Sequence, residues 1–295
     1  MDGFAPSDKN GNYKRPKSLF SLEKSKQSLS YDEKLYLIIG TTCPWSHRTL
    51  ILFTLMDLSK SVSVIFLEPD YKTGQWNFKE PFFKNRTLKD LYKKSKFQYL
   101  VRATVPVLVN IRNQKTNIIS NESEQIVKIL NTLKRDNLGK PYLVESHSSD
   151  LENLIHENIN NGVYKCGFAR NQNAYQESSE NLFSALTKIE RLLIENQGPW
   201  ICGSKLNIAD IYLFPTLIRW ELIYSRLFKC TAKEISEYRN IMEWRFRFFN
   251  LKGISNTCYE NQWTRDYYKA LFPLNPNQIV PIHSSLTEII DKSLN

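Results

Sequence analysis

Cys43 stands between two apolar runs, Leu35-Tyr36-Leu37-Ile38-Ile39-Gly40 before it and Thr49-Leu50-Ile51-Leu52-Phe53-Thr54-Leu55-Met56 after it. The first reads as a buried strand and the second as a helix. Pro44 suits the first helical position, because proline lacks the N–H that a helix start leaves unused. A cysteine at such a strand-to-helix turn faces unpaired backbone N–H groups and the positive end of the helix dipole. Both favour a thiolate over a thiol, so this placement points to nucleophilic sulfur chemistry near neutral pH. The simpler alternative is a buried structural thiol, the commoner fate of cysteine. His47 stands nearby and histidine is a common base, but it opens a helix whose turns must pack, and it is given no role.

The other cysteines are Cys166, Cys202, Cys230 and Cys258. An odd count, wide spacing and no C-x-x-C pair make neither a disulfide framework nor a zinc site, so no metal is expected. A reducing cytoplasm is the expected location. No apolar run approaches a membrane span, and residues 1–30 lack the apolar core of a secretory signal. The net charge is +10. The lysines are scattered among acidic residues, even in the densest cluster around Lys84, Arg86, Lys89, Lys93, Lys94 and Lys96. That pattern describes a solvated surface rather than a nucleic-acid face.

The chain around Cys43 alternates between strand and helix. Leu35–Gly40 is a strand, His47–Leu58 a helix, and the β-branched run Ser61–Leu67 a second strand. A long insertion follows over 68–102, with helical character in Phe82–Lys94; a connection of that length is usually functional or partly helical. Thr104–Val109 is a third strand whose Pro106 must sit at an edge or in a special turn, with a cis bond as one way to fit it. Thr116–Ser120 is a fourth strand. Ser120 or Asn121 then caps a helix over 122–133. This order is α/β and thioredoxin-like.

A polar stretch over 134–148 reads as a linker, and strand patterns then nearly vanish. Helices are expected over 150–164, 173–196, 208–222, 235–250 and 263–272. Leu182, Leu186, Ile189 and Leu193 form an apolar stripe, and Asn207-Ile208-Ala209-Asp210 reads as a capping box. The expected organisation is a polar N-terminal extension over 1–30, a thioredoxin-like domain over 31–133, an all-α helical domain over 149–274 and an extended C-terminal tail over 275–295.

Five motifs in order resemble one family. They are Cys43-Pro44-Trp45-Ser46-His47-Arg48, Thr104-Val105-Pro106-Val107-Leu108, Asn121-Glu122-Ser123-Glu124-Gln125-Ile126, Ile159-Asn160-Asn161-Gly162-Val163-Tyr164-Lys165 and Asn275-Pro276-Asn277-Gln278-Ile279-Val280-Pro281. Together they resemble the glutathionyl-hydroquinone reductases, the Xi class of glutathione transferases. The resemblance implies the glutathione transferase architecture, glutathione as co-substrate, a glutathionylated aromatic substrate and a homodimer. It implies that Cys43 attacks the glutathione sulfur of a glutathionyl-hydroquinone and forms a mixed disulfide, which a second glutathione resolves. One enzyme thiol suffices for this, so Ser46 in place of a second cysteine is no obstacle.

By the same resemblance, Trp76 lies against the tripeptide. Val105 pairs with its cysteinyl backbone, with Arg102, Ala103 and Thr104 on the same approach. Glu122 and Ser123 hold the γ-glutamyl end. Tyr164 gives a proton to the departing hydroquinone carbon, while Tyr224 and Tyr267 support the thiolate; Tyr268 is the alternative to Tyr267. The chain departs from the family pattern at Ser46, usually alanine, at Gln75, inserted before the tryptophan, and at Asp266, often histidine. An Omega-like thiol transferase or dehydroascorbate reductase shares Cys43 without needing the three tyrosines. A non-catalytic binding module on the same scaffold would need neither.

Overall fold

Leu35–Gly40 forms strand β1, and its apolar residues fill both faces because it lies inside the sheet. The computed structural model describes residues 5–15, 34–94, 102–112, 115–133, 143, 149–271 and 274–292. The chain divides into two compact units, Lys17–Tyr142 and Met1–Pro16 with Leu143–Asn295. Most of the expected linker over 134–148 lies outside the described residues.

In the first unit, β1 pairs in parallel with β2 (Val62–Pro69), from Leu35 opposite Val62 to Gly40 opposite Leu67. Helix α1 (Pro44–Leu55) makes the crossover between them. On its other side β1 runs antiparallel to β5 (Val107–Arg112), which pairs with β6 (Lys115–Ser120). Helix α3 (Ser123–Thr132) then packs on α1. This βαβ-ββα arrangement is the expected thioredoxin-like unit. Helix α1 begins at Pro44, three residues before the expected start, because proline there needs no N–H partner. The third strand begins at Val107 rather than Thr104, and the Val105–Pro106 bond just before it is cis.

The insertion extends the sheet, which the sequence pattern did not anticipate. Strands β3 (Trp76–Phe82) and β4 (Asn85–Thr87) give the order β4-β3-β2-β1-β5-β6. Phe83 and Lys84 turn the hairpin with φ of 46° and 62°. Asn85 staples the turn through its amide, which donates to the carbonyls of Phe82 (2.9 Å) and Phe83 (3.2 Å). The helical part is short, α2 (Leu88–Lys93), and starts at a capping box between Thr87 and Asp90. Leu88, Leu91 and Tyr92 of α2 join Phe78 and Phe82 of β3 in one core with Ile38, Leu67, Val105 and Val107.

The second unit is helical. Helix α4 (Ser149–Leu154), a π-helical stretch (Ile155–Asn160) and α5 (Gly162–Phe168) run on from one another, past the expected end at Tyr164. Helix α6 (Gln172–Glu195) buries the Leu182, Leu186, Ile189 and Leu193 stripe. Helix α7 (Ile208–Leu217) starts at the expected box, where Asn207 caps and Asp210 reaches back. It does not run to Leu222. Pro215 lies within it, and a π-helical turn over Trp220–Tyr224 follows. Helices α8 (Arg239–Phe249) and α9 (Glu260–Ala270) complete the core.

Two further stretches belong to this unit. Where the N-terminal extension is described, Arg170 donates to the Ala5 carbonyl and Asn171 to that of Asn10, each at 2.9 Å. The C-terminal tail is not extended throughout, because helix α10 (Leu286–Lys292) forms within it. The Ser285 hydroxyl caps this helix by accepting from the Glu288 N–H at 3.2 Å, Glu260 accepts from the Leu286 N–H, and Leu286 and Ile290 are buried one turn apart.

Candidate active site

Cys43 is the N-cap residue of α1. Its N–H donates to the Gly40 carbonyl at 3.1 Å, and its carbonyl accepts from the His47 N–H at 3.0 Å, so the turn is closed on both sides. The half-buried Cys43 thiol lies 3.6 Å from the Val105 carbonyl oxygen. Ser46, one helical turn on, is buried, and its hydroxyl accepts from the Gly40 N–H at 3.4 Å. His47 is buried at 2% exposure. The Arg48 guanidinium stacks 4.5 Å over the Trp45 ring and faces Glu124 of α3 at 3.8 Å, which ties the helix bearing Cys43 to α3.

Around this turn the first unit gathers most of the residues named from sequence. Cys43, Trp76 and Ala103 pack against one apolar cluster that contains Val105. Trp76 opens β3 opposite Pro69 of β2, and its indole lies on Gly40. A Cβ on Gly40 would come within 2.4 Å of that ring, so only glycine fits three residues before the thiol. Thr104 precedes Val105, and Arg102 is exposed. Helix α3 starts with Glu122 as N-cap, one residue later than expected. Ser120 accepts from the Glu122 N–H at 3.1 Å instead of capping, and the Asn121 amide reaches the Thr104 hydroxyl at 3.4 Å. Ser123 is buried at the first helical position, and a helix start of this kind suits a carboxylate.

Tyr92 was not singled out from sequence. It is buried on α2, and its hydroxyl donates to the Thr104 carbonyl at 2.9 Å. Burial pushes its pKa above the ordinary tyrosine range, so the phenol stays a neutral donor.

In the helical unit, three phenols form a chain. The Tyr267 hydroxyl is 2.7 Å from that of Tyr164 and 3.2 Å from that of Tyr224. Burial, and then the neighbouring Tyr224 phenol, raise the pKa of Tyr164 and Tyr267 well above the usual value. The Arg219 charge opposes this at Tyr267. Tyr268 lies outside the chain and donates to the Leu222 carbonyl at 3.3 Å. Phe228 underlies the phenols, with ring centroids 5.3, 5.4 and 5.9 Å from those of Tyr164, Tyr224 and Tyr267. A Cβ on Gly167 would strike the Phe228 ring, so glycine admits it there. Phe228 carries no sequence signal, because it lies in an irregular segment with no period to read.

Among the described residues, no group of His, Cys, Asp or Glu could hold a metal ion, and no helix is long and apolar enough to cross a membrane.

A thioredoxin-like unit with a cysteine at its first helix, followed in the chain by a helical unit, defines the glutathione transferase architecture. Comparison with known families agrees: residues 42–133 match the glutathione S-transferase N-terminal domain and residues 172–245 the C-terminal domain. The chain belongs to the glutathione S-transferase family, in its Xi-class, glutathionyl-hydroquinone reductase branch. It is 33% identical over 264 residues to glutathionyl-hydroquinone reductase YqjG of Escherichia coli, covering 85% of this chain and 79% of that protein. The glutathione-bound structure of YqjG superposes with a TM-score of 0.77 at 31% identity, covering 87% of each chain. Glutathione-S-transferase Xi from Phanerochaete chrysosporium gives a TM-score of 0.82 at 27% identity, covering 96% of each chain. A glutathione S-transferase omega-like 2 of Schizosaccharomyces pombe is 28% identical over 297 residues, covering 94% of each.

Proposed function

We propose that the protein reduces S-glutathionyl-hydroquinones with glutathione as co-substrate. The Cys43 thiolate attacks the glutathione sulfur, and a Cys43–glutathione disulfide forms as the carbon–sulfur bond breaks. The bonding electron pair leaves on the hydroquinone carbon, which takes a proton from Tyr164. A second glutathione thiolate then attacks the glutathione sulfur of the mixed disulfide, which frees Cys43 and gives oxidised glutathione. One thioether sulfur and one glutathione thiol become a disulfide, while the aryl carbon is reduced and Cys43 is regenerated.

The observation that carries this reading is the hydrogen-bonded chain Tyr164–Tyr267–Tyr224. Simple thiol–disulfide exchange needs no proton at carbon, whereas release of an aryl carbanion does. A phenol whose pKa burial holds high keeps its proton until a strong base such as an aryl carbanion is at hand, which suits Tyr164 to this step.

In the same reading, Trp76 stacks on the tripeptide and Val105 pairs with its cysteinyl backbone, with Arg102, Ala103 and Thr104 alongside. Glu122 takes the γ-glutamyl ammonium, and Ser123 with the start of α3 takes its carboxylate. Tyr224 and Tyr267 also support the Cys43 thiolate. The enzyme works in the cytoplasm as a homodimer.

The omega-like relative favours a second reading, a thiol transferase acting on glutathionylated proteins or dehydroascorbate. Tyr164→Phe separates the two. Hydroquinone release should fall by about 10²-fold or more, as expected for loss of a general acid, while reduction of a small glutathionyl disulfide persists. Unchanged rates of both reactions would remove the reductase reading.

A further inference from the structure

Tyr92 and Trp76 come from one insertion, the β3–β4–α2 segment between β2 and the cis-proline strand. Trp76 covers Gly40, on the strand that leads to Cys43. Tyr92 reaches the other wall, where its hydroxyl donates to the Thr104 carbonyl at 2.9 Å. The Val105 carbonyl that follows lies 3.6 Å from the Cys43 sulfur. Thr104 is held a second time, by the Asn121 amide on its hydroxyl, and Asn121 adjoins Glu122 at the start of α3. One buried phenol therefore fixes the peptide between two stretches assigned to glutathione. It does so through a main-chain carbonyl, so the contact depends on the tyrosine hydroxyl and on no other property of its ring.

We propose that Tyr92 is a positioning residue for glutathione binding, which sets the orientation of the Thr104–Val105 peptide so that the Val105 main chain is presented to the cysteinyl backbone. This rests on the glutathione site set out above. The Thr87–Asp90 capping box, with bonds of 3.0 and 3.1 Å, closes the start of α2 five residues before Tyr92 and contributes to helix stability alone. Burial keeps the phenol protonated, with the nearby Glu122 charge adding to the effect, so the bond persists across the working pH range.

The test is Tyr92→Phe, which keeps the ring and removes the hydroxyl, compared with Thr87→Ala, which loosens the α2 cap without touching Thr104. Titration calorimetry with glutathione gives Kd, and steady-state release of hydroquinone from a glutathionyl-hydroquinone gives KM for glutathione and kcat. Tyr92→Phe should weaken Kd and raise KM about 10-fold, equivalent to about 1.4 kcal/mol, with kcat at saturating glutathione within about 2-fold. Thr87→Ala should lower Tm and leave KM unchanged. Wild-type Kd in Tyr92→Phe overturns the inference, as does an equal rise of KM in both variants. Wild-type protein that binds glutathione but releases no hydroquinone defeats the reductase reading, and Kd then still decides the role of Tyr92. Wild-type protein that does not bind glutathione defeats both.

Discussion

Tyr267 occupies the middle of the phenol chain, so replacing it by phenylalanine should cost more than replacing either end. Tyr267→Phe removes one hydroxyl but two contacts, at 2.7 Å to Tyr164 and 3.2 Å to Tyr224. Each contact exchanged for an unmade bond costs about 1–2 kcal/mol where water cannot replace it. Tyr224 is fully buried, and Tyr164 is half-buried. The sum for Tyr267→Phe is therefore about 2–4 kcal/mol, against about 1–2 kcal/mol for Tyr164→Phe, where only one bond is lost. The triple phenylalanine variant should recover part of the loss, since replacing all partners with apolar groups of the same shape leaves fewer donors stranded. Urea unfolding of the three single variants, the Tyr164/Tyr267 double and the triple measures these terms and their coupling. Strictly additive costs, or a Tyr267→Phe loss no larger than that of Tyr164→Phe, would refute the chain as an energetic unit.

Other predictions follow from the same structure. Gly40→Ala drives a Cβ to within 2.4 Å of the Trp76 ring, so it should destabilise by about 1–3 kcal/mol and weaken glutathione binding, as thermal unfolding and calorimetry would register. Asp210 accepts from the N–H of Ile201 and Asn207 and from the Trp244 indole at 2.7 Å; Asp210→Ala should cost about 3–5 kcal/mol, read as a shift of the urea midpoint. Burial pushes Asp210 up to about 6 from 3.8, so its proton-linked stabilisation is full below pH 3.8 and is lost as pH rises through 6. The stability difference between wild type and Asp210→Asn should change by about 3 kcal/mol across that window, and a flat difference would contradict the shift. Glu221→Gln takes a carboxylate from buried Arg245, which it holds with two bonds of 2.7 and 2.8 Å, and should cost about 3–5 kcal/mol in chemical denaturation.

Much of the scaffold was legible because its patterns are local. The strand before Cys43 is an unbroken apolar run, Pro44 marks the helix start, and the Asn207–Asp210 box and the α6 stripe follow known spacings. The β3–β4 hairpin was not legible. Its turn uses Phe83 and Lys84 at positive φ where glycine or asparagine would give the signal, and β3 carries Lys79, Glu80 and Pro81, which read as loop. The C-terminal helix was hidden behind Pro276 and Pro281, although Ser285 and Glu288 hold a capping pattern. Within the site, resemblance supplied Trp76 and the tyrosines. Tyr92 escaped notice because its partner is a backbone carbonyl, which leaves no trace in side-chain type or spacing.

The proposed reaction requires Cys43 to carry glutathione between its two steps. Single-turnover mass spectrometry of wild type and Cys43→Ala, each mixed with glutathionyl-menadiol, tests it most directly. Wild type should carry one glutathionyl group on the Cys43 peptide and release free hydroquinone, and the variant should do neither. Hydroquinone released at the wild-type rate by folded Cys43→Ala, or released by wild type with no adduct on Cys43, would contradict it.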